Sequence, residues 1–258
     1  QLQSQSSVQA EKVVAALSKM GIQKTHVIKV DVDITDGLEA SARRARYAAL
    51  DACAEKTGAA FVLLGHTRDD QSESVLLGLA RGSGARSLSA MAMRNGKYVR
   101  PLLAITREET LAACAEAQLD PWDDPHNADK TFTRVRVRHD VIPHLEKNLG
   151  PGISAALART ASLLRDDADA LDQLADEEFA AHEPLSLDIN RLEKLPKAIR
   201  TRVLRMAIYA AGAPSGSLSA DHIAPIEAFI TDWRGQGPSD LPGGVRVSRI
   251  SGRLSLSR

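Results

Sequence analysis

Apolar positions recur along the N-terminal half of the chain with two periods, one typical of helices and one typical of strands. Helical spacing covers residues 6–21, 37–58 and 69–81. Between these stretches lie two short runs rich in apolar residues, THVIKVDV (25–32) and AAFVLLG (59–65). Such runs are typical of strands buried on both faces of a parallel sheet. The order predicts a doubly wound, parallel-sheet (Rossmann-like) α/β domain.

The predicted sheet is incomplete at its N-terminal side. Two parallel strands cannot cover their own faces, and sheets usually contain about four to six strands. We therefore expect further strands upstream of residue 1.

Local signals define the connections after residue 82. Asn95-Gly96 lies between short alternating runs and predicts a hairpin. Thr106 and Glu109 have the spacing of a capping box that opens a helix. Residues 132–145 (FTRVRVRHDVIPHL) are ambiguous, because the alternation is strand-like whereas the flanking residues suit a helix. We predict a helix.

The sequence NLGPG (148–152) indicates a domain boundary. Beyond it we predict helices over residues 153–182, 196–211 and 220–233, a short strand within 184–189, and a C-terminal hairpin around Ser251-Gly252. The chain is thus divided into an α/β domain (1–147) and a mainly helical domain (148–258).

Composition excludes several classes of protein. Lysine plus arginine (33) equals aspartate plus glutamate (33), so the total charge favours neither a nucleic acid nor a membrane partner. Cys53 and Cys114 form no CxxC pair and fall in apolar helical patterns, which favours core positions over a disulfide framework or a zinc site. No apolar run approaches the roughly 20 residues that span a bilayer. We expect a soluble cytoplasmic protein without a membrane partner.

The most informative short stretch is GHTRDDQSES (65–74), which follows the second predicted strand. Ligands of open α/β folds bind at the carboxyl edge of the sheet, where these residues emerge. Asp70 and Glu73 have the spacing to hold an ammonium group or hydrated magnesium on one helical face. The same acids also suit a capping box and the positive end of the helix dipole. Spacing alone leaves both interpretations open.

Histidines give weaker signals. His66 can act as a base or bind phosphate, although a histidine after a strand more often only bonds to a neighbouring loop. His139 and His144 lack the HExxH arrangement, and we predict no protein metal site.

Five segments together resemble the motif series of the tRNA(Ile)-lysidine synthetases, which belong to the PP-loop (N-type) ATP pyrophosphatases. The resemblance spans roughly residues 1 to 147, and it is specific as a set although each piece alone is weak. In chain order the segments are ARRARY (42–47), GHTRDDQSESVLLGLARGSG (65–84), RPLL (100–103), DDPHNAD (123–129) and FTRVRVRHDVIPHL (132–145).

The resemblance implies a ligase. It would adenylate C2 of the wobble cytidine of an isoleucine tRNA with a CAU anticodon, using ATP with Mg²⁺, and then join the ε-amino group of L-lysine to that carbon. The resemblance places lysine on Asp70 and Glu73, with His66 assisting. It also assigns Arg43 and Arg46 to ATP phosphates, whereas spacing alone favours a solvated helix face for these two arginines.

The chain departs from the family pattern in two places. The SGGxDS loop that holds the ATP phosphates does not occur in these 258 residues, so we expect this chain alone to be inactive. Val135 stands where the family's FxRNxIR motif usually has asparagine, which weakens the transfer of roles to that segment.

Local basic patches predict where tRNA binds despite the neutral total charge. For any single patch, a solvated surface is the more common explanation. Only 3% of residues are aromatic, so we expect backbone and shape contacts. Trp122 is either a stacking surface or part of the core, and we predict the core. The predicted tRNA contacts are Arg134, Arg136, Arg138, Lys197, Arg200, Arg202 and Arg205.

Two other functions remain open from sequence. A related tRNA thiolase would be expected to carry catalytic cysteines, often paired, and a noncatalytic RNA-binding fragment would need no phosphate loop. A homodimer is left open beside a monomer.

Overall fold

A computed structural model of the chain describes residues 6–34, 37–82 and 84–258. Packing divides the chain into two compact units. The first contains the chain up to Thr67 together with Ala92–Thr110, and the second contains Arg68–Met91 together with Leu111–Arg258. The functional boundary at residues 148–152 stays a prediction.

Helices dominate the described residues, and most begin and end within a few residues of the predicted limits. The helices are α1 (Ser6–Lys19), α2 (Leu38–Thr57), α3 (Arg68–Ala80), α4 (Ala85–Leu88), α5 (Arg107–Glu116), α6 (Thr133–Arg136), α7 (Ile142–Leu149), α8 (Ile153–Phe179), α9 (Ile189–Glu193), α10 (Lys197–Ala210) and α11 (Ala220–Thr231). The strands are β1 (Val62–Leu63), β2 (Arg94–Asn95), β3 (Tyr98–Val99), β4 (Ser186–Asp188), β5 (Ser239–Leu241), β6 (Val245–Ile250) and β7 (Arg253–Ser257).

The first unit contains a small sheet in the order β1-β3-β2. β1 runs parallel to β3, and β3 pairs antiparallel with β2 across the predicted Asn95-Gly96 hairpin. Tyr98 ties the sheet to α2 by donating to Asp51 Oδ1 at 2.7 Å. Burial and this hydrogen bond raise the pKa of Tyr98 to about 12.

The predicted strand over residues 25–32 is wrong. Residues 22–34 form no regular structure, and Val27 and Ile28 are exposed. A strand exists only where a neighbour accepts and donates its backbone hydrogen bonds, and no described segment pairs with these residues. The second predicted strand, 59–65, is reduced to the two residues of β1 that pair with β3.

The second unit has its main core around a four-stranded antiparallel sheet, ordered β4-β7-β6-β5, with helices α9, α10 and α11. Ser251 and Gly252 both have positive φ at the β6–β7 turn, as a two-residue hairpin connection requires. Sequence patterns predicted this hairpin and missed β5, whose three residues carry no clear alternation.

Helix α8 runs along this unit and packs against α3, α4 and α10. Ala161, Ala168 and Ala175 recur every seven residues and are fully buried. Small side chains at this spacing let neighbouring helices approach α8 closely.

Residues 133–149 are helical, as predicted, and contain a π-helical turn at Val137–Val141. The Ile142 N–H donates to the Val137 carbonyl, five residues earlier. Pro143 follows directly, and in a regular α-helix its ring would clash with the His139 carbonyl. The wider turn accommodates the proline.

Within the described residues, no helix is both long and apolar enough to cross a membrane.

The junction between α7 and α8 is closed by Glu146. Its carboxylate accepts hydrogen bonds from Gly152 N at 2.6 Å and Ser154 N at 3.0 Å, at the start of α8. The Ser154 hydrogen bond, followed by those of Ile153 and Gly152, lowers the pKa of Glu146 despite the opposing effect of burial. The ionised carboxylate therefore stabilises the helix start.

We expect Glu146→Ala to lower the free energy of unfolding by about 1 kcal/mol at neutral pH, the usual cost of losing a helix cap. Because the folded pKa is depressed, this contribution is present above the unfolded pKa, near 4.5, and is lost as the pH falls through the folded value. Urea titrations should show the gap between wild type and variant closing below pH 4.5. Glu116→Ala, at the exposed end of α5, is the control and should show no comparable gap.

Candidate functional site

The acidic motif forms the first turns of α3. Asp69 and Asp70 lie in the first turn, where carboxylates complement the helix dipole. Ser72 Oγ donates to the Asp69 carbonyl and Ser74 Oγ to the Asp70 carbonyl, at 2.8 and 2.7 Å. The motif is therefore held in a defined helical start.

Glu73 is the most buried charged residue of this motif, with 1% of its side chain exposed. Arg138 binds it with both arms of its guanidinium, Nε to Oε1 at 2.6 Å and Nη2 to Oε2 at 3.1 Å. Arg134 Nε lies 3.2 Å from Oε2. Two arginines thus neutralise one buried carboxylate.

Asp70 lies at the edge of this ion pair. Its Oδ1 is 3.6 Å from Arg138 Nη2, and 15% of its side chain is exposed. Burial lowers the pKa of Arg138, but its hydrogen bonds to Glu73 and the charges of Glu73, Asp70 and Asp69 outweigh burial and raise it overall. Arg138 therefore stays charged.

The three arginines of the 132–145 segment that were predicted to contact tRNA lie in different surroundings. Arg134 and Arg138, four residues apart, both turn to Glu73. Arg136 is exposed and donates to the carbonyls of Lys130 and Thr131. Two sequence signals for this contact were available. Arg134 and Arg138 are four residues apart, and Asp70 and Glu73 are three residues apart.

The remaining predicted residues of the α/β domain have simpler surroundings. His66 is half-buried. Arg43 and Arg46 are exposed on α2, and the Arg43 guanidinium lies 5.0 Å from the centre of the Tyr47 ring.

The predicted tRNA contacts of α10 are not equally accessible. Lys197 has 76% of its side chain exposed. Arg202 is half-buried and binds Asp172 on α8 at 2.6 Å, and Arg205 donates to the Leu218 carbonyl. Arg200 is buried and donates to Glu227 Oε1 at 2.8 Å. A buried guanidinium cannot reach a phosphate, so Arg200 is not available for the predicted tRNA contact.

Residues 84–91 support α3, and sequence reasoning missed them. The Gln71 side chain makes two hydrogen bonds to the Met91 backbone, both at 2.8 Å. Arg165 from α8 donates to the Ser89 and Ala90 carbonyls, and Ala90 has a φ of +48°. The only sequence signal was Gln71, an amide side chain within the acidic motif.

The core position predicted for Trp122 is wrong, because 44% of this residue is exposed. Cys53 and Cys114 are free and only half-buried.

No cluster of three metal-ligating His, Cys, Asp or Glu side chains occurs among the described residues. Both oxygens of Glu73 are bonded to Arg138, so Glu73 does not fit as a direct ligand of Mg²⁺.

Comparison with known families supplies matches over both parts of the chain. A family model described as a PP-loop domain matches residues 1–145. A second, described as a TilS substrate binding domain, matches residues 187–255.

Relatives are similar over almost the whole chain. The tRNA(Ile)-lysidine synthase of Thermobifida fusca (strain YX) is 51% identical over 258 residues, covering 99% of this chain and 80% of that protein. The tRNA(Ile)-lysidine synthase of Streptomyces coelicolor is 53% identical over 260 residues, covering 99% and 74%. A solved structure of the U34-tRNA thiolase NcsA from Methanococcus maripaludis is 20% identical, with a TM-score of 0.48 over 61% of this chain and 56% of that one. So distant a likeness decides nothing about activity.

We expect Glu73→Ala to lower the free energy of unfolding by about 3 kcal/mol, because it leaves two guanidinium groups without their buried counter-ion. Urea titration of the purified chain measures the effect. Glu177→Ala, on the exposed face of α8, is the control and should change stability by less than about 1 kcal/mol. Equal effects of the two substitutions would show that the Glu73 ion pair is not structural.

Proposed function

The chain belongs to the tRNA(Ile)-lysidine synthase family, and we propose that the acidic start of α3 holds the lysine that this reaction consumes. The match to the PP-loop domain confirms the predicted fold class, a Rossmann-like ATP-pyrophosphatase domain. The described second unit adds the helices and the antiparallel sheet of the matched substrate binding domain.

The enzyme is a ligase that forms lysidine in isoleucine tRNA. ATP activates C2 of the wobble cytidine by adenylation, and pyrophosphate leaves. The ε-amino group of lysine then attacks C2, and AMP departs with the oxygen that C2 carried. The amine loses a proton in this step. The site must therefore first bind lysine as a cation and then allow its ε-amino group to become a neutral nucleophile.

The observation that carries the lysine proposal is the position of Asp70. Its carboxylate is largely buried yet reaches solvent, and it lies beside Asp69 at the start of α3. A carboxylate in a partly dry site binds an ammonium group more strongly than one in water. Glu73 was predicted to share this role, but its oxygens are bonded to Arg138, so we assign the direct contact to Asp70. We propose His66 as the group that accepts a proton from the amine.

We propose that Arg43 and Arg46 meet the phosphates of ATP, which is used as its Mg²⁺ complex. Both arginines are exposed on α2, and their guanidinium groups suit phosphate oxygens. We propose the cytoplasm as the site of the reaction. A homodimer would contain two acidic clusters, each built within one chain.

For tRNA we propose backbone contacts from Arg136, Lys197, Arg202 and Arg205. Lys197 supports this best, because 76% of its side chain is exposed, with Nζ 3.4 Å from Glu227 Oε2.

A thiolase is not favoured. The close relatives are lysidine synthases, and the chain has only two cysteines, on separate helices.

We expect Asp70→Asn to abolish lysine transfer in the full-length enzyme, because the ammonium group loses its charged partner. Incorporation of [14C]lysine into a CAU-anticodon tRNA transcript with ATP measures this. Asp140→Asn, an exposed acid paired with Lys130, is the control and should retain activity. Wild-type incorporation by Asp70→Asn would remove Asp70 from the lysine site.

We expect Lys197→Ala to weaken tRNA binding and to reduce the slope of log Kd against log salt by about 1, the value for one phosphate contact. Filter binding over a salt series measures the slope. Lys56→Ala, on the exposed end of α2, should leave it unchanged. An unaltered slope for Lys197→Ala would exclude α10 from the tRNA surface.

A further inference from the structure

We infer that Arg138 is a positioning residue for the lysine-binding carboxylate of Asp70. The buried carboxylate of Glu73 in turn holds Arg138 in place. The inference rests on the proposed lysine site. It replaces the tRNA contact predicted for Arg138. It also gives Asp70 and Glu73 different roles, whereas their spacing in the sequence predicted the same role for both.

Glu73 is suited to hold an arginine and unsuited to hold a substrate. Only 1% of its side chain is exposed, and both oxygens receive N–H groups of Arg138. An incoming ammonium group would have to break a buried bidentate pair to reach it. Breaking such a pair is costly, since an unpaired charge remains behind.

Arg138 connects the anchor to the proposed lysine ligand. Its Nη2 atom lies 3.1 Å from Glu73 Oε2 and 3.6 Å from Asp70 Oδ1. A guanidinium is planar and rigid. When Nε and Nη2 are both hydrogen-bonded to Glu73, the position of Nη2 relative to Asp70 is therefore fixed as well. Arg138 thereby restricts the orientation of the Asp70 carboxylate before lysine arrives.

Arg134 supports the same arrangement through the backbone. Its Nη2 donates to Ser74 Oγ at 2.9 Å, and Ser74 Oγ donates to the Asp70 carbonyl at 2.7 Å. Its Nε lies 3.2 Å from Glu73 Oε2. Both the main chain and the side chain of Asp70 are therefore tied to the Glu73 pair.

Arg138→Lys tests the inference in the full-length enzyme. Lysine keeps the charge that Glu73 needs, but its ammonium group has no fork and cannot hold Glu73 and orient Asp70 together. We expect the KM for lysine to rise about tenfold, as for the loss of one charge-assisted contact. We also expect kcat at saturating lysine to stay at the wild-type value.

The half-reaction without lysine separates positioning from general damage. Pyrophosphate release from ATP with tRNA alone does not need the lysine site, so Arg138→Lys should support it at the wild-type rate. Arg159→Lys, an exposed arginine on α8, is the control and should change neither measurement. A wild-type or lowered KM for lysine, or an equal loss in both reactions, would overturn the inference.

If thermal unfolding shows that Arg138→Lys does not fold, a second variant tests the inference. Glu73→Gln combined with Arg138→Gln exchanges the ion pair for a neutral amide pair and removes the guanidinium from Asp70. The same rise in lysine KM with intact pyrophosphate release is expected, and its absence would again overturn the inference.

The two proposals fail differently. If Asp70→Asn abolishes lysine transfer while the Arg138 variants keep a wild-type lysine KM, the lysine site stands and the positioning role falls. If Asp70→Asn transfers lysine normally, the site itself is misplaced.

Discussion

The buried ion pair between Glu73 and Arg138 is the interaction on which the acidic motif depends. Removing both charges from water costs several kcal/mol for each ion, and the cost is recovered only when the geometry is good and the remaining polar atoms are bonded. The two Glu73 oxygens meet these conditions by accepting hydrogen bonds from Arg138, and Arg134 adds its charge at 3.2 Å without a hydrogen bond from Nε. The pair fixes where the 133–138 helical turns dock on α3, and so fixes the surroundings of Asp70.

Helix α8 connects this local arrangement to the rest of the second unit. Its buried alanines allow close packing, and its Arg165 holds the carbonyls of Ser89 and Ala90. Asp172, further along the same helix, binds both Arg86 from α4 and Arg202 from α10. One helix therefore contacts both the segment that supports the acidic motif and the matched substrate binding domain.

Sequence patterns predicted features that depend on neighbours in the chain and missed those that depend on distant partners. The Thr106–Glu109 capping box is present, with Glu109 Oε2 accepting from Thr106 N at 2.7 Å. The strand at 25–32 failed because its apolar pattern cannot supply a pairing partner. Arg138 was assigned to tRNA because it lies in a basic run, and the spacing within each segment does not identify Glu73, 65 positions away, as its partner. Arg200 was assigned to tRNA for the same reason, although it is buried and donates to Glu227.

The two kinds of charge in this chain respond differently to salt, and this difference bears on how one enzyme handles two substrates. Exposed cations such as Lys197 are screened beyond about 8 Å at physiological ionic strength, whereas a buried pair is screened far less. The tRNA binding that we propose for the exposed residues would therefore weaken as the salt concentration rises. The acidic cluster, held by Glu73 and Arg138, keeps its geometry over the same range of salt. We therefore expect the proposed tRNA contacts to depend on salt more strongly than the Glu73–Arg138 pair that holds the acidic cluster.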